Sequence, residues 1–189
     1  MQSFDVNSYI SDLSRAAKDY LPAAAQLILS ELAKIEGSTS RIYLCGNGGS
    51  GANAQHIEND ISIGIYKSSG ILFSVETLSS NNAVASAISN DYGYEEVFSR
   101  QLLVKAKPGD FLIAFSGSGN SKNILEVLRV AQQIKVRTCA VVGFDGGKAM
   151  SLSDVYIHFP IDDMQIVEDL QLVLGHIVMR HFTESIENR

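Results

Sequence analysis

The chain of 189 residues predicts an α/β fold, a single doubly wound parallel five-stranded sheet preceded by an N-terminal helical hairpin. Three observations carry this reading. From Arg41 onward, short apolar runs alternate with longer helical patterns. The middle run, Phe111 to Phe115, is apolar throughout, as a strand covered on both faces requires. Two strand-to-helix junctions are rich in glycine and hydroxyl side chains, as ligand loops of doubly wound sheets are. With no fixed-period repeat, low-complexity tract or linker, one domain is expected over 1–189. Residues 1–37 form its N-terminal helices, and 38–189 form the α/β core with a long C-terminal helix.

Taken in order, residues 6 to 36 have helical spacing, with Tyr9, Ile10, Leu13, Ala17 and Tyr20 on one stripe. Pro22 interrupts it and is expected to open a second helix that ends at Gly37. The strands then read as Ile42–Cys45, Ile71–Val75, Phe111–Phe115, Thr138–Val142 and Val155–Phe159. The helices between them read as 52–66, 82–89, 120–134, a short one near Lys148, and a last one from Asp163 to about Ile186.

Composition narrows the function. A formal net charge of −6 argues against a nucleic-acid partner, which selects clustered Lys and Arg. The first residues show neither a basic nor an apolar leader segment, and no apolar run approaches the roughly 18 residues of a membrane span. Cys45 and Cys139 both lie in strand patterns and read as buried free thiols. The expectation is a cytoplasmic protein with no membrane or nucleic-acid partner.

The first loop, C-G-N-G-G-S-G at 45–51, leads from a strand into a helix, whose N-terminus favours an anion. It lacks the G-K-[ST] of a P-loop, and it is not read as the dinucleotide loop G-x-G-x-x-G. Asn47, Gly48, Gly49 and Ser50 are its candidate ligand groups. The second loop, F-S-G-S-G-N-S at 115–121, offers Ser116, Gly117, Ser118 and Ser121. A single serine there would read as a helix cap, but three in six residues read as a phosphate cradle. Neither loop holds Arg or Lys, so hydroxyls and backbone amides would bind the phosphoryl group without a cationic clamp.

Together, C-G-N-G-G-S-G-A-N-A-Q-H-I, N-D-Y-G-Y-E-E-V-F-S-R-Q, S-G-S-G-N-S and G-F-D-G-G-K resemble the sugar isomerase (SIS) family, specifically its phosphoheptose isomerase branch. The resemblance implies a flavodoxin-like SIS fold and isomerisation of sedoheptulose 7-phosphate to D-glycero-D-manno-heptose 7-phosphate, feeding heptose-containing surface polysaccharide. It also implies a homotetramer with sites at subunit interfaces.

Moving a proton between C1 and C2 of a ketose needs a base over the carbons and an acid or metal to steady the oxyanion. His56 and Asp60 share a helix face at i,i+4, and Glu168 and His176 lie eight apart on the last helix. By the resemblance, His56, Asp60, Glu168 and His176 hold one Zn2+ per subunit, Asp60 and His176 are the proton-transfer pair, and Glu168 also faces substrate. Asp91 is implied to contact sugar hydroxyls, and Gln171 is a further possible substrate contact.

The chain departs from the family at four of these positions. Asp60 stands for Glu, shorter by about 1.5 Å, and Glu168 stands for Gln. Gly64 stands for Arg, with Lys67 as a candidate substitute, and Gln171 stands for His. Two alternatives stay open at this point. One is a non-catalytic relative like the bacterial replication-initiator-associating protein, and the other is an SIS isomerase for another sugar phosphate. His158 and His181 read as ordinary structural residues.

Overall fold

The computed structural model describes residues 4–184. Its sheet comprises β1 (Arg41–Gly46), β2 (Ser74–Thr77), β3 (Phe111–Ser116), β4 (Arg137–Val142) and β5 (Val155–His158). All neighbours are parallel, in the order β2-β1-β3-β4-β5. The helices are α1 (Val6–Ala33), α2 (Gly48–Asn59), α3 (Ile65–Ser69), α4 (Asn82–Asp91), α5 (Ser99–Lys105), α6 (Lys122–Gln133), α7 (Ala149–Leu152) and α8 (Met164–Glu184). A π turn, Asp60–Gly64, joins α2 to α3. Chain order reverses between β1 and β3, so the loops after these two strands open on one crevice.

Strand pleating explains the two cores. Ile42, Leu44, Ile113, Phe115, Cys139 and Val141 face one way and pack with α1, α2 and α8. Tyr43, Cys45, Leu112, Ala114, Ala140 and Val142 face the other way and pack with α5 and α6. Both cysteines are free and fully buried; burial pushes both thiols up, Cys139 to about 12, so both are inert.

The expected N-terminal hairpin is corrected: α1 runs unbroken through Pro22. The buried stripe Ala16, Leu21, Ala24, Ile28 and Leu32 continues across the proline, against α8. Pro22 itself is exposed, so water can satisfy the backbone carbonyl its missing N–H leaves free. The residues from 94 to 105, unassigned in the sequence, form a 3-10 turn (Tyr94–Glu96) and α5. The second strand starts later than expected because β1 pairs from Arg41↔Ser74, leaving Ile71 and Leu72 outside the ladder. The last residues of the expected C-terminal helix, 185 and 186, lie outside the described residues.

Polar ties fix α1 to the rest. Tyr9 Oη donates to Asp169 on α8 at 2.6 Å, and that bond pushes the phenol up to about 12. Glu31, 6% exposed, accepts two bonds from Arg137 at 2.7 and 2.9 Å and one from Lys34 at 2.8 Å. The Arg137 bonds hold its carboxyl down to about 2, against the opposing effect of burial. A depressed carboxyl stabilises the fold above its ordinary pKa and loses that contribution as pH falls through the folded value. Glu31→Gln is therefore expected to cost about 1.5–3 kcal/mol at neutral pH, measured by urea denaturation. The gap from the unsubstituted chain should close as pH falls from 4.5 towards about 2; a pH-independent gap would contradict this origin.

Candidate active site

Helices α2 and α8 run side by side in the same direction and form the wall of the site. The pairing can be followed along both chains: Glu168 lies over Gly49, Asn53 meets Gln171, Ile57 meets Gly175, His56 meets His176, and Gly64 meets Met179. The close approach depends on Gly175, where a β-carbon would collide with the side chain of Ile57.

At the start of this seam, a cleft of about 220 Å3 is lined by Asn47, Gly48, Gly49, Ser50, Ser116, Gly117, Ser118, Ser121 and Glu168, with Phe115 and Met164 as its apolar walls. Both sequence-predicted loops thus meet in one place. Ser116 Oγ is buried and has no hydrogen-bond partner, a donor held ready at a cleft floor. Ser121 precedes α6 without capping it, and its hydroxyl is unused by the helix. Ser118 Oγ accepts from the Asn120 backbone at 3.2 Å and keeps its own proton to donate. Ser50 Oγ donates to Glu168 Oε1 at 3.3 Å.

The first loop does carry glycines at Gly46, Gly48 and Gly51, the G-x-G-x-x-G spacing that the sequence reading denied it. A dinucleotide site also needs an acidic residue for the ribose about 20 residues further on. Here the second strand ends on Thr77, which is buried and donates to the Ala54 carbonyl at 3.2 Å.

Two turns beyond Gly49, three predicted residues come together. His56 Nε2 lies 3.0 Å from His176 Nε2 and 3.2 Å from Asp60 Oδ2, and His176 Nε2 lies 3.6 Å from the same oxygen. Asp60 is 6% exposed, and Oδ2 makes no aligned hydrogen bond, so a buried carboxylate oxygen is left unpartnered beneath two half-exposed imidazoles. The donor atoms lie within 4.8 Å of one another, and this is the group among the described residues that could hold a metal ion. Two imidazoles and a carboxylate, with a further position open, suit a borderline-soft divalent cation. The π turn begins at Asp60: Ile65 N–H reaches back to the Asp60 carbonyl, and Ser62 Oγ donates to the Glu58 carbonyl at 2.6 Å. Such turns recur at functional sites.

Other expected site residues lie elsewhere. Glu168, expected as a metal ligand, faces Gly49 and Ser50 and is not in the His56–Asp60–His176 group, because it sits two helical turns before His176. Asp91 is exposed at the end of α4 and accepts from Asn90 Nδ2 at 2.9 Å. Gln171 is fully buried, so it cannot touch a ligand in the cleft. Gly64 packs under the tip of Met179, which would have to move to admit a larger side chain, and Lys67 is exposed on α3. Glu58, beside His56 in sequence, faces away and accepts from the Thr77 backbone at 3.0 Å. His158 Nε2 pairs with the Phe144 carbonyl at 2.9 Å.

The SIS domain family model matches residues 4–143. A phosphoheptose isomerase of Helicobacter pylori (strain Shi470) is 40% identical over 149 residues, 77% of each chain. One from Akkermansia muciniphila is 34% identical over 179 residues, 92% of this chain and 94% of the relative. Among solved structures, the phosphoheptose isomerase GmhA of Neisseria gonorrhoeae superposes with a TM-score of 0.81 at 28% identity. That match covers 95% of this chain and 97% of the other.

Gln171 supplies a test of the seam. Its Oε1 accepts from Asn53 Nδ2 at 3.3 Å and its buried Nε2 has no partner, while the residue lines a small apolar cavity of about 20 Å3. Replacing it with the similarly sized methionine removes an unsatisfied donor at the loss of one long bond. Gln171→Met is expected to raise the unfolding free energy by up to about 1 kcal/mol; a loss of that size would show that the amide is satisfied in solution.

Proposed function

The chain belongs to the SIS domain family, among its phosphoheptose isomerases, and on that premise we propose that it converts sedoheptulose 7-phosphate to D-glycero-D-manno-heptose 7-phosphate. One observation carries the reading. The phosphate cradle and the His56–Asp60–His176 group lie on the same seam, separated from Ser50 to His56 by about 9 Å of helix rise. That span is about the reach of an extended seven-carbon phosphate ester, which places C1 and C2 at one end when the phosphate sits at the other.

At the cradle, Ser116, Ser118 and Ser121 donate hydroxyls to the phosphate, assisted by backbone N–H groups at Gly117 and by the uncovered start of α2 at Gly48, Gly49 and Ser50. Glu168 accepts from sugar hydroxyls in place of its bond to Ser50. Asp60 takes one proton from C1; the C–H electron pair forms the C1=C2 double bond, and the ketone oxygen gains the charge. Asp60 then returns the proton to C2, while His176 carries the hydroxyl proton from O1 to O2. Atoms balance without a redox partner. The buried carboxylate, whose Oδ2 makes no aligned hydrogen bond, favours the base role, since it sheds little hydration to react. His56, Asp60 and His176 would hold a zinc ion, which supplies Lewis-acid stabilisation of the oxyanion. Glu168 is left out of that ligand set and kept for substrate.

The same reading takes 1–189 as one SIS domain acting in the cytoplasm as a homotetramer. No helix among the described residues is long and apolar enough to cross a membrane. Ile63, Tyr66 and Leu72 around the π turn and α3 are large exposed apolar side chains, and they support association. The non-catalytic alternative drew on the altered Asp60 and Glu168, and the approach of the Asp60 carboxylate to both imidazoles speaks against the first of these.

A coupled assay of zinc-supplemented protein with sedoheptulose 7-phosphate is the test. Asp60→Asn is expected to lower kcat by about a hundredfold or more with little change in KM, and Ser116→Ala to raise KM with little change in kcat. Absence of conversion, or full activity of Asp60→Asn, would overturn the proposal. Metal analysis should give one zinc per chain, lost in His56→Ala.

A further inference from the structure

Asn47 stands directly before α2, where an asparagine side chain ordinarily accepts from the second or third helical N–H. It makes no such bond. Its amide is instead paired reciprocally with Asn123 on α6: Asn47 Nδ2 donates to Asn123 Oδ1 at 2.9 Å, and Asn123 Nδ2 donates to Asn47 Oδ1 at 2.8 Å. Tyr94 Oη donates to the same Asn47 Oδ1 at 2.9 Å. Asn123 is 2% exposed and also accepts from the Ile124 N–H at 3.0 Å.

Only an amide at both ends can make this exchange, because each side must donate and accept at once. Asparagine 47 was expected to offer its side chain to substrate; both of its acceptor bonds and one donor bond are used inside the protein. The consequence lies in what the side chain is kept from doing. The N–H groups of Gly48, Gly49 and Ser50 are first-turn donors with no carbonyl before them in the helix, and these residues line the cleft. An Asn47 side chain turned back on α2 would occupy one of them.

We propose that Asn123, seconded by Tyr94, is a positioning residue that holds Asn47 off the start of α2, so that those amides stay open to an anion. The same clasp fixes the starts of α2 and α6 to each other and hangs the Gly93–Glu96 segment from the mouth of the cleft. Neither residue touches the reacting atoms. The inference rests on the sugar-phosphate reading for its consequence in catalysis, but its structural claim about α2 does not.

The test therefore uses two readouts. Amide hydrogen exchange by NMR reports on Gly49 and Ser50, and calorimetry with inorganic phosphate reports on the cradle. In Asn123→Ala, Asn47 is freed to cap, so exchange at these amides should slow and phosphate binding and KM should worsen by about fivefold, the equivalent of one cap bond. The kcat should stay within about twofold. Adding Asn47→Ala removes the cap and should restore both fast exchange and phosphate affinity, a rescue that general loop damage would not give. Unchanged exchange in Asn123→Ala, or no rescue in the double variant, overturns the proposal. Tyr94→Phe, which leaves the buried amides in place, should weaken phosphate binding by about twofold to threefold without lowering Tm; no change would remove Tyr94 from the device. If the exchange results hold and the chain lacks isomerase activity, the functional reading fails and the clasp stands.

Discussion

The close parallel contact of α2 with α8, made possible where Gly175 meets Ile57, is the constraint on which the site depends. It sets Glu168 beside the first loop and His176 beside His56, with Asn53 and Gln171 filling the interval. Neither helix alone carries a site. The glycines and hydroxyls of the loops lie at strand ends far from any histidine in sequence, and only the seam gives them a common axis. A thicker residue at 175 would part the two helices, and His176 would move away from Asp60 without any change to either side chain.

The fold was legible because its signals are local. The all-apolar F-L-I-A-F of β3 and the glycine-rich junction after β1 fix a doubly wound sheet and its crevice by periodicity and turn chemistry alone. Pro22 misled because proline usually ends a helix, and nothing local shows that an apolar stripe on either side will be held by α8. Helix α5 was missed for a related reason: Leu102 is buried but Leu103 and Val104 are exposed, so the segment lacks a clean amphipathic pattern.

Within the site, His56, Asp60 and His176 were readable from spacing and resemblance. The way Asp60 comes within reach of both imidazoles was not, since the π turn that starts there has no sequence signature in D-I-S-I-G. Glu168 was expected as a metal ligand by the resemblance; helix rise separates it from His176 here, and its nearer partner is Ser50. Asn123 gave no signal at all. In S-K-N-I-L it reads as an ordinary first-turn polar residue, and its meaning appears only with Asn47 opposite, 76 positions away.

On the proposed function the seam is a track with phosphate at one end and proton transfer at the other, and solvent exchange tests that most directly. Zinc-supplemented protein and sedoheptulose 7-phosphate would be followed by NMR in D2O. Over repeated turnovers one of the two C1 hydrogens of the ketose should be replaced by deuterium and the aldose should gain deuterium at C2, because a proton held on the Asp60 carboxyl can exchange with solvent before its return. Complete absence of deuterium from both sugars after many turnovers would contradict it, since a proton held on a carboxyl leaks to solvent in some turnovers whereas a hydride shift between C1 and C2 leaks none and leaves Asp60 without a role as base.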